Sequence, residues 1–367
     1  MREILLKDTE QVRLVGRTAA SREPGILFWT GSRVLLHVTG SELWVKLEAD
    51  YETCEPWINI MINGVSVSRQ MVQKGISWIC VFRGMDAAKA KTVEIVKETQ
   101  AMSGDPKHLL AVWAFRLDGE LLPVEEKKCR LEFIGDSITS GEGAIGSVSE
   151  EEWISMWFSS ERNYAWLTAR ALDAEYHVLS QSGWGVLSSW DNNPNGTLPG
   201  CYEQICGLQT GEQNHANGAD QPWDFSSWQP DAVVINLGTN DGGAFNSPAY
   251  TDPVTGEVFK QKLLEDGSFD PADLARFQAA VVDFLKKLRR CNPKAKLVWV
   301  YGMLGIPMEP AIRAAVEQYR QESGDQEVSY LRLPDTDETS VGARSHPGYL
   351  SHERAAETLT DYLRQIL

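Results

Sequence analysis

Arg130-Leu131-Glu132-Phe133-Ile134-Gly135-Asp136-Ser137-Ile138-Thr139-Ser140-Gly141 is a largely apolar run that breaks on glycine into a short polar turn. Four runs of the same kind follow: Tyr176 to Leu179, Ala232 to Leu237, Leu297 to Tyr301 and Val328 to Leu331. Several are apolar throughout, which is the pattern of strands covered on both faces by helices. Helical periodicity lies between them and is clearest from Asp270 to Arg290. There Asp270 can cap and Pro271 suits the first turn, while Leu274, Phe277, Val281, Phe284 and Leu288 share a face. Lys286, Lys287, Arg289 and Arg290 favour the negative end of the dipole, and Asn292-Pro293 stops the helix. Tyr349 to Leu367 reads as a closing helix. Strand and helix in alternation predict a three-layer α/β/α domain on a parallel sheet, spanning 126–367.

Working back from that run, the charged connector Glu125-Glu126-Lys127-Lys128 separates it from a segment of different period. Arg33 to Val38 and Glu42 to Glu48 are rich in branched and aromatic residues, and the second alternates apolar with polar. Trp57 to Ile62, Asn63-Gly64 and Val65 to Arg69 form a hairpin signal, because Asn-Gly supplies the positive φ angles of a type I′ turn. Further strands are expected at Ile76 to Phe82, Thr92 to Val96 and Leu109 to Phe115. Many short strands at short spacing predict an antiparallel β-sandwich of jelly-roll type over 1–125.

The 367 residues exceed one ordinary core, in keeping with two domains. A 43% hydrophobic and 23% charged composition is that of a folded chain and not a disordered one. A formal net charge of −16 excludes nucleic acid and anionic membranes as partners, since phosphate binding needs a basic face. Met1 to Asp8 is broken by charge within a few residues and does not read as a secretory signal. A cytoplasmic location is therefore expected, with Cys54, Cys80, Cys129, Cys201, Cys206 and Cys291 reduced. Cys201, Cys206 and His215 lack the paired spacing of a zinc site, so neither metal nor other cofactor is expected. The insertion from Gly185 to Pro230 carries Trp190, Trp223 and Trp228 among Asn, Gly, Pro and Gln. Loops of that length are usually functional or disordered. The pattern sets no oligomeric state.

Ligands bind outside the carboxyl ends of parallel strands. Past the first strand stands Gly135-Asp136-Ser137-Ile138, past the second Ser182-Gly183-Trp184-Gly185, past the third Gly238-Thr239-Asn240-Asp241, and Ser345-His346-Pro347 precedes the last helix. Acyl transfer needs a serine on a tight turn, a histidine to take and return its proton, and donors around the oxygen that becomes negative. Ser137, His346, the N–H groups of Ser137 and Gly183, and the Asn240 amide make such a set. Taken singly each has a plainer reading: Ser137 as a helix cap, Asn240 as a loop-bracing residue, Asp136 as a brace for the turn.

Together the four ordered blocks resemble those of the SGNH/GDSL hydrolase superfamily over about 130–367. The resemblance implies Ser137 as nucleophile, Gly183 and Asn240 with the Ser137 N–H as oxyanion hole, and His346 as base. The preceding jelly roll makes the chain most similar to carbohydrate esterase family 2, which implies an acetylated hemicellulose-type oligosaccharide as substrate. Trp184, Trp190 and Asp241 are the expected substrate contacts; Trp184 follows the oxyanion glycine directly, where an aromatic face suits a sugar ring. In one respect the chain departs from the superfamily. The aspartate usually found three residues before the histidine is replaced by Ala343, with Arg344 two before. Two readings stay open: a backbone carbonyl holds His346 in a dyad, or Asp335, Asp337 or Glu338 folds back. The missing acid also leaves room for a carbohydrate-binding protein with a degenerate hydrolase domain, and a tryptophan-lined site for a lipid or aryl esterase.

Overall fold

The computed structural model describes residues 1–367. Its C-terminal part is a five-stranded parallel sheet: β1 (Cys129–Gly135), β2 (Ala174–Ser180), β3 (Ala232–Asn236), β4 (Lys296–Tyr301) and β5 (Val328–Arg332). The spatial order is β2-β1-β3-β4-β5. Because β1 is flanked by β2 on one side and β3 on the other, the order in which strands are added reverses beside it, which opens a crevice at the carboxyl ends. In register, Gly135 lies between Ser180 and Asn236. All three strands thus stop at one level, and their loops share a rim.

Helices cover both faces. Tyr164–Ala171 (α2) and Tyr349–Ile366 (α5) bury Tyr164, Trp166, Leu359 and Leu363 against Phe133, Val234 and Val298. Pro271–Cys291 (α3) and Glu309–Ser323 (α4) bury Phe277, Phe284, Ile312 and Val316 against Val233, Ile235 and Trp299. Asp270 caps α3 by accepting from the Ala272 and Asp273 N–H groups, as the sequence predicts. Among the shorter helices, α1 (Ser137–Ser140) is a single turn leaving β1.

Residues 2 to 122 form a sandwich of two antiparallel sheets. One orders Arg2–Leu5, Leu109–Leu117, Glu42–Asp50 and Gly75–Arg83; the other orders Leu121–Leu122, Arg33–Val38, Lys91–Lys97, Trp57–Ile62 and Val65–Met71. Asn63 (φ 51°) and Gly64 (φ 78°) turn the predicted hairpin. The inner faces meet in a core of Leu36, Val45, Leu47, Ile60, Ile95 and Phe115. Strands at Arg2–Leu5, Arg13–Val15 and Gly25–Ile26 were not anticipated. They are short and mixed in polarity, and they form by pairing on longer neighbours.

Much of the 185–230 insertion is a packing element. Leu198, Tyr202, Ile205 and Cys206 join one buried cluster with Phe28, Trp29 and Leu109 of the sandwich and Leu285 and Trp299 of the α/β domain. Trp228 stacks on His177 with ring centroids 3.7 Å apart. Cys201 and Cys206 lie within that cluster, whereas His215 is half exposed and pairs with Asp220. No helix is long and apolar enough to cross a membrane.

Candidate active site

The turn after β1 sets the serine. Asp136, fully buried, caps α1 by accepting from the Ile138 N–H at 3.0 Å. Capping therefore falls to Asp136, and Ser137, the first helical residue, keeps its hydroxyl free for another partner. That partner is His346: Ser137 Oγ lies 3.0 Å from Nε2.

His346 Nδ1 lies 2.8 Å from the carbonyl oxygen of Arg344. A carbonyl can only accept, so Nδ1 carries the proton and Nε2 presents its lone pair to the serine hydroxyl. The imidazole is thus oriented by backbone where an acidic side chain is usual. The acids weighed as alternatives are occupied elsewhere: Asp335 accepts from the Gly305 N–H at 2.8 Å, Asp337 from Arg354 at 2.7 Å, and Glu338 is exposed. The orienting carbonyl sits on unusual backbone. Arg344 (φ 56°, ψ 33°) and Ser345 (φ 54°) are consecutive left-handed residues. Each non-glycine residue in that region costs about 1–2 kcal/mol, so surrounding contacts must hold them.

Gly183 and Asn240 come to the same rim. The Trp190 ring sits over Gly183, where a Cβ would meet Trp190 Cδ1 at 2.9 Å. Asn240 Nδ2 donates to Asp136 Oδ2 at 3.1 Å and to the Trp184 carbonyl at 3.0 Å. Both amide protons are engaged in the resting site, so donation to an oxyanion requires sharing one of them. Burial pushes the Asp136 carboxyl up to about 7, opposed by the Ile138 N–H and reinforced by the charges of Asp241 and Glu142.

Asp241 corrects a sequence expectation. Its side chain is fully buried and accepts from the N–H groups of Val186 at 3.0 Å and Leu187 at 2.7 Å, bracing the insertion from beneath. It presents no exposed surface to the rim, and burial pushes it up to about 6. The two tryptophans differ. Trp184 packs partly against the buried cluster, whereas Trp190 is 55% exposed beside Gly183. His352 is buried and accepts from the Tyr164 N–H, away from the serine.

Two residues at this site escaped the sequence reading. Glu142, buried five residues past Ser137, contacts Arg344 and Ser182. Gln100 reaches in from the sandwich, its Oε1 accepting from the Ser182 N–H at 2.7 Å and Ser140 Oγ at 2.8 Å. A carboxylate between two glycines just after the serine turn was a usable signal for Glu142. Nothing local marks Gln100.

A serine hydroxyl paired with a histidine whose tautomer is fixed, at the switch point of a parallel sheet, is the geometry that serine hydrolysis uses. The chain belongs to the GDSL-like Lipase/Acylhydrolase family, whose profile matches residues 133–352; by family it is a carboxylic ester hydrolase. It is similar to an acetyl xylan esterase from the rumen bacterium Butyrivibrio proteoclasticus: 42% identity, 100% of this chain and 99% of that one covered, TM-score 0.98. A family two carbohydrate esterase from Clostridium thermocellum, solved with cellohexaose, shares the fold at 24% identity and TM-score 0.80, with 97% and 98% of the two chains covered. Cellulase/esterase CelE of Acetivibrio thermocellus is 27% identical over 348 residues, 92% of this chain; the chain spans 37% of the length of that relative.

Proposed function

We propose that this protein is an acetyl esterase that removes O-acetyl groups from hemicellulose-type oligosaccharides through an acyl-enzyme on Ser137. The observation that carries the reading is the 3.0 Å approach of Ser137 Oγ to His346 Nε2 with the Arg344 carbonyl fixing the tautomer. His346 takes the hydroxyl proton as Ser137 attacks the acetyl carbonyl. The N–H groups of Ser137 and Gly183 and the Asn240 amide hold the tetrahedral oxyanion. As the intermediate collapses and the bond to the sugar oxygen breaks, the protonated ring gives its proton to that oxygen, which leaves as a hydroxyl. Water, activated by the same nitrogen, hydrolyses the acetyl-serine. Trp190 offers an exposed aromatic face on which a pyranose can stack beside the acyl site. The substrate class is supported by the acetyl xylan esterase similar over the whole chain.

The rival reading, a carbohydrate-binding protein with a dead hydrolase domain, drew on the absent aspartate. The Arg344 carbonyl occupies that acid's place at Nδ1, which favours catalysis. Mass spectrometry of acetylated xylan and mannan oligomers before and after incubation tests the proposal. Loss of acetyl groups that vanishes in Ser137→Ala is expected; full activity in Ser137→Ala would refute it. We further propose a cytoplasmic enzyme acting on imported fragments, which the six unpaired cysteines support. Cell fractionation that finds the protein in the medium or on the cell surface would overturn this placement.

A further inference from the structure

We infer that Glu142 is a positioning residue for His346: through Arg344 it holds the carbonyl that orients the imidazole, replacing from the nucleophile's own turn the missing acid. The inference rests on the reading of His346 as base.

The carboxylate of Glu142 is 3% exposed and divides its two oxygens. Oε1 accepts from Arg344 Nε at 3.0 Å, and Oε2 accepts from Ser182 Oγ at 2.5 Å. Ser182 is itself anchored, its N–H donating to the buried Gln100 of the sandwich. The acid is therefore fixed from one side by the oxyanion loop and fixes Arg344 on the other. Arg344 has two further holds, both backbone: Nη1 donates to the Glu151 carbonyl at 2.8 Å and its N–H to the Glu150 carbonyl at 2.7 Å. Glu142 is its one charged partner, and charge-assisted bonds of this kind are the stronger sort.

What these contacts hold is the pair of left-handed residues, 344 and 345, whose conformation sets the direction of the 344 carbonyl. Left to itself that stretch relaxes, the carbonyl turns from Nδ1, and the ring loses both tautomer and orientation. The adjoining backbone shows how tightly the two segments are set: Ala343 N–H donates to the Gly143 carbonyl, and His346 N–H to that of Ala343. Glu142 also stands near the proton's destination, Oε1 being 3.8 Å from His346 Nε2. That distance is too long for a hydrogen bond, so the hold of Glu142 on the ring runs through Arg344.

The test compares Glu142→Gln, Arg344→Met, the double variant and Ser137→Ala, each as the full chain, on a small acetate ester. Each of the first two is expected to lower kcat on the order of 10²-fold with KM within about twofold, and to keep the parent's circular dichroism. The double variant is expected to be no slower than the slower single, because both break one strut. The downfield proton resonance of His346 Nδ1 is expected to shift or vanish in both, and to persist in Ser137→Ala. Should Glu142→Gln fail to fold, Arg344→Met decides, its side chain being 30% exposed. Near-parent kcat with an unmoved resonance in these variants, alongside an inactive Ser137→Ala, would overturn the inference while leaving the catalytic reading intact. An active Ser137→Ala would instead remove the reading on which it stands.

Discussion

Replacing Gly143 by alanine probes how little room the base has. Gly143 is left-handed (φ +70°), and a Cβ built on it would meet the Ala343 carbonyl oxygen at 2.3 Å and His346 Cβ at 2.7 Å. Ordinary contact begins at 3.4 Å, and neither obstacle is the flexible end of a side chain. To reach ordinary contact the carbonyl oxygen must retreat by about 1.1 Å and His346 Cβ by about 0.7 Å. The hydrogen bond from Ser137 to Nε2 starts at 3.0 Å, so such a retreat carries the pair beyond proton-transfer reach. A displacement of that size costs on the order of 10²-fold in turnover. The backbone strain of alanine at positive φ, about 1–2 kcal/mol, must be separated from this. Gly324 supplies the control: it closes α4 at φ +73° with nothing within 4 Å of its virtual Cβ. Gly324→Ala thus carries the same strain without the collision. Steady-state kinetics on an acetate ester and thermal melts of both variants form the assay. Both are expected to melt earlier, Gly143→Ala by more because it adds the collision to the shared strain, and Gly143→Ala alone to lose kcat. Equal kcat in the two variants would refute the claim that the 143 backbone sets the position of His346.

Asn240→Ala is expected to lower kcat about 10²–10³-fold with little change in KM, the loss of one oxyanion donor; parent-like kcat would take Asn240 out of the hole. Asp136→Asn keeps an acceptor for the Ile138 N–H but cannot titrate. Because the folded pKa of Asp136 is raised from 3.8 to about 7, the native state binds a proton that the unfolded chain releases between those values. Its contribution to stability is complete below the unfolded value and lost as pH rises through the folded one. Melting temperature followed across that window should fall less steeply in Asp136→Asn than in the parent, with part of the slope remaining from Asp241. An identical slope would show that Asp136 does not titrate there.

The sheet was legible because its strands are buried on both faces, and burial leaves an unbroken apolar signature that no loop imitates. The rim was legible for a different reason. Ser137, Gly183 and Asn240 each stand within four residues of a strand end, so parallel register alone brings them together. Asp241 shows the boundary of that logic: it shares the rim position with Asn240, but one step along a helical turn points its carboxylate down into backbone N–H groups instead of out. The part played by Glu142 and Gln100 depends on contacts between residues 40 to 202 positions apart, and sequence spacing carries no trace of such pairings. The packing role of the 185–230 insertion was not legible because its apolar residues are spaced without helical or strand period, although a wedge between two domains needs neither.

That wedge bears on how the binding-only alternative can be tested. Arg17, from the sandwich side and fully buried, donates to Glu132 of β1 at 2.9 Å, and Glu132 also accepts from Tyr202 of the insertion at 2.6 Å. Trp29 of the sandwich donates to the Ile205 carbonyl at 2.7 Å within the same cluster. Cutting the chain at the connector would leave the Arg17 guanidinium without its carboxylate and expose Phe28, Trp29 and Leu109 to water. Breaking a buried pair of this kind costs about 3–5 kcal/mol, a large share of what holds any domain folded. The sandwich is therefore a fused half of one enzyme, and its Gln100 braces the loop at Ser182 only while the halves stay joined. An isolated sandwich that failed to bind sugar would say more about its folding than about its function. Titrating oligosaccharide into intact Ser137→Ala separates the readings cleanly, because every contact except the nucleophile survives. If binding competes with a small substrate-like acetate ester, the sugar sits at the Ser137 rim; binding indifferent to that ester would place it elsewhere and revive the alternative.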